Sequence, residues 1–364
     1  MTRTSLPSLR RAVCVAAVLS VFGAGTAAAA PSAGRSVIGP VAVGGTAGAV
    51  VLSPDGRQAF VVTNDWAHST AAVKVVDTGS GAVAATVPLP GSASQVAVSP
   101  DGTVVYALAG KAVTVIDTAD DSVLSTFPLP DQPLPNGWDP QQAWGQGALK
   151  SVAVSPDGSS LYIGQDGAGT FHERGNARVL VLDAETGVLS GSVETTVGDI
   201  GDILVHPDGK DVYVSSASGF GLVHLDVEDA QPTVVKTVIG SSGDWVITGA
   251  TMNTDGSYIY ATFGNSARMQ VIRTADDTPL AAVTMGTGTT YRLDHPVLSH
   301  DNLMLYMPAE DSAKGSTVDT LDNIRGRVLT PIPGVGPVSG AAISRDDTTL
   351  YLTTGGTLRA VTVG

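Results

Sequence analysis

A four-residue turn motif that recurs seven times constrains the fold of this chain more than any other feature. Its copies are "SPDG" at 53–56, 99–102 and 155–158, "HPDG" at 206–209, "NTDG" at 253–256, and the weaker "SHDN" at 299–302 and "SRDD" at 344–347. Successive copies start 46, 56, 51, 47, 46 and 45 residues apart. Proline presets φ, aspartate bonds its own backbone, and glycine takes the left-handed conformation that closes a hairpin. The motif therefore predicts a short strand on each side of every turn.

An aromatic residue follows each turn at a constant distance. These residues are Phe60, Tyr106, Tyr162, Tyr213, Tyr260, Tyr306 and Tyr351. Six of the eight tyrosines thus share one position, which predicts a core role. A third strand in each repeat ends in segments such as "KVVD" and "TVID", and a fourth reads "AVAATVPL" or "SVLSTFPL". Four antiparallel strands in a repeat of roughly 45 residues are typical of a propeller blade. The sequence therefore predicts an all-β, seven-bladed β-propeller of four-stranded antiparallel blades.

The two ends of the chain complement each other in this pattern. The seventh repeat stops at Gly364 after three strands, whereas the segment "SVIGPVAVGG" at 36–45 resembles a fourth strand with no repeat before it. We therefore predict that an N-terminal strand at 36–44 completes the C-terminal blade and closes the ring. This arrangement leaves fewer exposed sheet edges.

The residues before this strand have the layout of a secretory signal peptide. Arg3, Arg10 and Arg11 precede an apolar run at 12–24, and "AAAA" at 27–30 offers small residues for cleavage. The Arg10–Arg11 pair leaves both the general secretory and the twin-arginine export routes open. We predict that residues 1–30 are removed, that 31–364 form a single propeller domain, and that the protein is secreted. Cys14 leaves with the signal peptide, so no disulfide or thiolate chemistry is expected.

Charge and motif content exclude several functions. Removal of the three arginines takes the formal net charge from −14 to −17, which disfavours nucleic acid as a partner. The sequence lacks the serine elbow, zinc helix, phosphate-binding loop, dinucleotide fingerprint and calcium loop. We therefore predict no cofactor, no metal and no catalytic residue. His206, His224 and His300 are interpreted as structural.

The repeats resemble the YVTN-type β-propeller family, whose units run roughly "SPDG…YVTN…VSVIDT…VVATIPVG". The nearest match is "SPDGRQAFVVTNDWAHSTAAVKVVDTGSGAVAATVPLPG" at 53–91, and the resemblance extends from about residue 36 to Gly364. "YVTN" survives only as "VVTN" at 61–64. The resemblance implies a seven-bladed, often extracellular or surface-associated protein that serves as a binding or structural module.

Blade topology divides the loops between two faces. The turns joining strands one to two and three to four lie on one face, which we call the repeat-turn face. The connections joining strands two to three and blade to blade lie on the other, which we call the variable-loop face. Such loops carry function on rigid scaffolds. The candidate ligand-binding residues predicted on this face are Trp66, Trp138, Trp144, Trp245, His172, Glu173, Arg174, Tyr291, Arg292 and His295.

These observations favour a secreted, non-enzymatic binding or scaffold propeller that presents an aromatic-lined loop face to a small ligand, glycan or protein partner, with possible cell-surface association. The first alternative is a propeller enzyme similar to lactonases or lyases, although the sequence lacks a lactonase-like "GPRH" segment. The second is a cofactor-free subunit of an extracytoplasmic quinone-linked dehydrogenase. No haem-binding "CxxCH" is present.

Overall fold

All the regular structure that is described in this protein is β-strand. The computed structural model describes residues 37–134, 147–169, 175–216, 221–229, 231–240, 247–264, 266–285, 291–293, 295–311 and 315–363. These residues form seven antiparallel sheets, which are the seven blades of a β-propeller. The predicted fold class is confirmed. Within the described ranges, we find no helix with the length and apolar character that a membrane span requires.

The first five blades each contain four strands in chain order, starting from the centre of the ring. Blade one contains β2 (Thr46–Leu52), β3 (Gln58–Asp65), β4 (Thr70–Asp77) and β5 (Ala82–Leu89). Blade two contains β6 (Ala93–Val98), β7 (Val104–Ala109), β8 (Ala112–Asp117) and β9 (Val123–Pro128). Blade three contains β10 (Leu149–Val154), β11 (Ser160–Gln165), β12 (Arg178–Asp183) and β13 (Leu189–Glu194). Blade four contains β14 (Ile203–Val205), β15 (Asp211–Ser215), β16 (Gly221–Asp226) and β17 (Thr233–Gly240). Blade five contains β18 (Ile247–Met252), β19 (Tyr258–Phe263), β20 (Arg268–Arg273) and β21 (Thr278–Thr284).

Blades six and seven depart from this plan. In blade six the inner strand is split into β22 (Tyr291–Leu293) and β23 (Val297–Leu298), followed by β24 (Met304–Asp311), β25 (Gly315–Asp322) and a divided outer strand, β26 (Arg327–Val328) and β27 (Ile332–Pro333). Blade seven contains β28 (Gly340–Ile343), β29 (Thr349–Thr354), β30 (Thr357–Thr362) and, on its outer edge, β1 (Val37–Ala42). Strand β1 pairs antiparallel with β30, with Val41 opposite Leu358.

The repeated turns have the predicted backbone conformation. The fourth position has positive φ in all seven copies: Gly56 (72°), Gly102 (76°), Gly158 (76°), Gly209 (74°), Gly256 (78°), Asn302 (61°) and Asp347 (58°). The two weaker copies therefore keep the left-handed turn with asparagine or aspartate, the residues that tolerate it best after glycine.

The hydrophobic core is divided among the seams between blades. The described residues form seven clusters of buried apolar side chains, and each cluster joins two neighbouring blades. The repeated aromatic residue contributes to them: Phe60 is 0% exposed, Tyr213 1% and Tyr306 2%. The seventh cluster joins blade seven to blade one and includes Val43 beside Leu358. The predicted core role is confirmed for the six repeated aromatic residues that are buried, and the seventh, Tyr351, is partly buried and packs against the cluster between blades seven and one.

One carboxylate is buried within blade six. Asp319 lies opposite Met307 on the neighbouring strand and is 5% exposed. Thr317 Oγ1 donates a hydrogen bond to its Oδ1 at 3.1 Å. Burial raises the pKa of Asp319 to about 6, because the charged carboxylate loses hydration.

This raised pKa predicts a pH-dependent gain from the substitution Asp319→Asn. Between pH 4 and pH 6 the folded state holds a proton on Asp319 that the unfolded state releases, so the wild-type protein loses stability as the pH rises through this range. At neutral pH the penalty is about 3 kcal/mol. We expect Asp319→Asn to raise the melting temperature at neutral pH by several degrees and to have little effect near pH 4.

The exposed Asp346 provides the control for this measurement. A hydrogen bond from Ser344 holds the pKa of Asp346 below its ordinary value, so Asp346→Asn should not stabilise the protein at neutral pH. If the difference in melting temperature between Asp319→Asn and wild type were the same at both ends of the pH range, burial of the carboxylate would not be the cause.

Candidate functional site

On the repeat-turn face, most of the turn aspartates accept a hydrogen bond from a side chain of the same turn. In six of the seven turns a serine or asparagine side chain donates to the turn aspartate at 2.6 Å; the pairs are Ser53–Asp55, Ser99–Asp101, Ser155–Asp157, Asn253–Asp255, Ser299–Asp301 and Ser344–Asp346. The hydrogen bond from Ser53 holds the pKa of Asp55 below its ordinary value. These aspartates are therefore turn-forming groups. Blade four departs from this pattern, since His206 replaces the serine there.

Only part of the predicted ligand-binding set falls within the described residues. Trp138, Trp144, Trp245, His172, Glu173 and Arg174 lie outside them, as do the side chains of Tyr291 and Arg292, whose backbones belong to β22. Trp66 lies in the turn between β3 and β4, on the variable-loop face, and is 66% exposed. The neighbouring Asp65 Oδ2 is 2.7 Å from His68 Nδ1. A large apolar side chain with this exposure is available for contact with a ligand.

His295 lies where the inner strand of blade six is interrupted, between β22 and β23. Its φ of 24° is unusual for a residue other than glycine. Its side chain is half exposed, and its Nδ1 is 3.8 Å from Asp202 Oδ1 at the start of the inner strand of blade four. The backbone of His295 also packs closely against Gly249 of blade five. Groups from three blades therefore meet at this point of the variable-loop face.

Carboxylate and amide side chains join successive blades on the same face. Asn64 Nδ2 donates to Ala93 O at 2.9 Å, and Asn64 Oδ1 accepts from Ala93 N at 2.8 Å, which ties blade one to blade two. Asp166 Oδ1 accepts from Ile200 N at 2.9 Å, and Asp202 Oδ2 accepts from Ala250 N at the same distance. Asp166 also faces the ammonium group of Lys150 at 3.6 Å. These contacts tie each of these blades to the backbone of the next one and give the variable loops a fixed base.

Sequence reasoning did not single out these linking residues, although one signal was present. Asn64 stands four residues after the aromatic Phe60, and Asp166 stands four residues after Tyr162. Each is a polar residue directly at the end of a buried strand. A side chain at this position can reach the next blade, but four of the seven copies have glycine or alanine there, so the repeat pattern alone does not identify the linking residues.

A connected group of ionisable side chains joins blades four and five on the repeat-turn face. His224 Nε2 is 2.8 Å from Asp211 Oδ1, and His224 Nδ1 is 2.9 Å from Asp277 Oδ2. Tyr213 stacks on the imidazole with ring centroids 4.5 Å apart and donates its hydroxyl to Asp277 Oδ1 at 2.9 Å. Lys236 Nζ is 3.3 Å from Asp277 Oδ2. We call these five residues the blade-four network.

The electrostatics of the blade-four network favour a structural role. Burial, together with the hydrogen bond to Asp277, raises the pKa of Tyr213 far above its ordinary value, so the phenol stays a hydrogen-bond donor. Two carboxylates, one imidazole and one ammonium group contact one another, so each of these groups has a partner within the protein. The interpretation of His224 as a structural residue agrees with this geometry.

The comparisons with known proteins identify the fold and no more. No protein-family model matches the chain, and no curated protein matches it. The chain is similar to the solved structure of Kuenenia stuttgartiensis hydrazine synthase, with 16% identity, a TM-score of 0.70, and coverage of 88% of this chain and 96% of that chain. Because 1649 chains of solved structures match, the likeness is to a widespread fold. At this identity it supports the propeller architecture alone.

Proposed function

We propose that this chain is a secreted, non-enzymatic β-propeller that binds a small ligand, glycan or protein partner through its variable-loop face. The observation that carries the proposal is the difference between the two faces. On the repeat-turn face, the aspartates of six turns are engaged by their own serine or asparagine side chains. The variable-loop face has a rigid base of blade-to-blade hydrogen bonds, the exposed Trp66 and the half-exposed His295.

This arrangement suits recognition for a physical reason. Binding costs less free energy when the groups that contact the ligand are held in place beforehand. The side chains of Asn64, Asp166 and Asp202 accept hydrogen bonds from backbone N–H groups of the next blade. The variable loops lie beyond these contacts, and their sequences differ from blade to blade. Aromatic side chains at such a mouth supply contact area, and a few polar groups supply orientation. The tryptophans at 138, 144 and 245 belong to these loops by their position in the sequence.

Intrinsic tryptophan fluorescence tests the proposal. The protein is titrated with cell-wall fragments, sugars, short peptides and small lactones, and any compound that gives a saturable change is recovered and analysed for chemical conversion. We expect a saturable change without conversion. The change should be lost in a Trp138→Phe/Trp144→Phe variant and kept in Asp157→Asn, which alters a turn on the opposite face.

Two outcomes would contradict the proposal. Conversion of the bound compound, lost on substitution of His172 or His295, would support the enzymatic alternative instead. If no compound changed the tryptophan fluorescence and the immobilised protein retained no protein partner, the proposed binding function would be contradicted.

A further inference from the structure

Blade four differs from the other six blades at two positions of its repeated turn. The first position is serine or asparagine in the other blades and is His206 here. The residue that begins the second strand is Asp211 here; its counterparts are Gln58, Val104, Ser160, Tyr258, Met304 and Thr349. The turn aspartate, Asp208, is common to all the copies. Blade four therefore combines an imidazole and two carboxylates within six residues; blade seven has two carboxylates without an imidazole, blade six has an imidazole with one carboxylate, and the other four blades have one carboxylate each.

The structure brings these three groups to one point of the repeat-turn face. One ligand atom from each of His206, Asp208 and Asp211 lies within 4.8 Å of the others. His206 Nδ1 is 2.9 Å from Asp208 Oδ1, and the side chains are 19% and 41% exposed. Asp211 has a side-chain exposure of 33%. The group is open enough for an ion to enter from solvent and has the spacing of donor atoms that share one metal ion.

Neighbouring residues fix the orientation of these groups. A Cβ atom at Gly256 of blade five would lie 2.3 Å from His206 Nε2, so this side of the imidazole is seated against the next blade and Nδ1 faces the carboxylates. Asp211 Oδ1 is held by His224 Nε2 at 2.8 Å, and His224 is held in turn by Asp277. Hydrogen-bonded carboxylates and histidines of this kind commonly orient metal ligands.

The charge around the group favours a cation. The ammonium group of Lys210, between the two aspartates in sequence, is paired with Glu228 Oε1 at 2.6 Å. This ion pair holds the lysine, and the overall charge of the protein is strongly negative. One imidazole nitrogen with two carboxylate oxygens is a donor set that suits zinc and similar transition-metal ions, whereas calcium takes oxygen ligands alone.

We propose that His206, Asp208 and Asp211 form a binding site for one divalent transition-metal ion of the zinc type. The site belongs to the repeat-turn face, opposite the surface proposed for ligand recognition, and it is independent of that function. Because His206 contacts blade five and Asp211 is linked to it through His224 and Asp277, a bound ion would reinforce the seam between blades four and five. Three protein ligands leave a coordination position for water or for a donor from a partner.

Isothermal titration calorimetry with zinc chloride, followed by thermal unfolding with and without zinc, tests the site. We expect one high-affinity zinc ion per chain and a rise in melting temperature on binding. His206→Ser restores the residue found in the other turns, so the variant should fold. It should bind zinc at least about tenfold more weakly. Asp211→Asn should have a similar effect, and the matched control Asp157→Asn in blade three should bind as wild type does.

Three results would overturn the proposed zinc site. Zinc binding of unchanged affinity and stoichiometry in both His206→Ser and Asp211→Asn would place the metal elsewhere and overturn the proposal. Binding of calcium with higher affinity than zinc, unaffected by His206→Ser, would reduce the group to an acidic surface and would also overturn it. Absence of zinc binding to the wild-type protein would have the same consequence.

Discussion

Deletion of residues 35–45 should lower the melting temperature of this protein by about 7 °C or more. The segment contains β1, which supplies the outer strand of blade seven by pairing antiparallel with β30. Its removal leaves β30, and with it Leu358 and Val361, at an unpaired edge, although both side chains are buried in the intact protein at 2% and 0% exposure.

The size of the effect follows from what the segment buries and bonds. Val43 is 3% exposed and belongs to the cluster that joins blade seven to blade one. Burial of one such side chain contributes about 1.5–3 kcal/mol. The segment also donates two backbone hydrogen bonds to Gly356 O, from Val43 and Gly44 at 3.0 and 3.2 Å. With Val41 and the newly exposed side chains of β30 included, the loss is on the order of 5 kcal/mol or more.

Thermal unfolding followed by circular dichroism measures this loss. The matched point variants are Val43→Ala, which removes a buried contact and should cost about 1–2 kcal/mol, and Ala42→Ser, which alters an exposed position and should cost little. Addition of a peptide of residues 35–45 to the truncated protein should restore part of the melting temperature, because the vacated edge can accept the strand again. An unchanged melt after the deletion would mean that β1 contributes nothing to the closed ring.

The fold could be predicted from this sequence because the information that specifies it is local and repeated. Each turn contains its own aspartate and left-handed residue, four of the seven also contain a proline, and each core aromatic stands seven residues after the turn begins. The turn conformation is kept even in the two copies that lack glycine at the fourth position, because Asn302 and Asp347 have positive φ there. The resemblance to the YVTN-type repeat family and the secretory signal stay predictions from the sequence.

The contacts between blades could not be predicted in the same way. His224 and Asp277 are 53 residues apart, and only the packing of blade four against blade five places them 2.9 Å from each other. The blade-to-blade hydrogen bond of Asn64 is also a tertiary contact, since its partner Ala93 begins the next repeat. The loops that carry the candidate ligand-binding residues have no counterpart in the other repeats. Their lengths and sequences are specific to one blade, so the repeat carries no information about them.

Substitution of Asp277 by asparagine should destabilise the protein by about 3 kcal/mol, which corresponds to a fall in melting temperature of about 4 °C. The carboxylate faces His224 Nδ1 at 2.9 Å and Lys236 Nζ at 3.3 Å and is 8% exposed. An asparagine amide at this place removes the negative charge and can direct N–H groups at donors. Asparagine also tolerates the φ of 53° at this residue, so the backbone of the turn should be preserved and the effect should report the lost charge.

The adjacent Asp276 offers a matched control, because it is exposed and bonded to the exposed Arg273 in the same turn. Exposed pairs contribute little, so Asp276→Asn should lower the stability by less than about 1 kcal/mol. A double substitution, Asp277→Asn with His224→Gln, separates the charge from the packing. If the network acts as a unit, the double variant should lose less than the sum of the two single losses. Equal effects of Asp276→Asn and Asp277→Asn would show that burial between the two blades adds nothing to the carboxylate of Asp277, and the role assigned to the blade-four network would then be wrong.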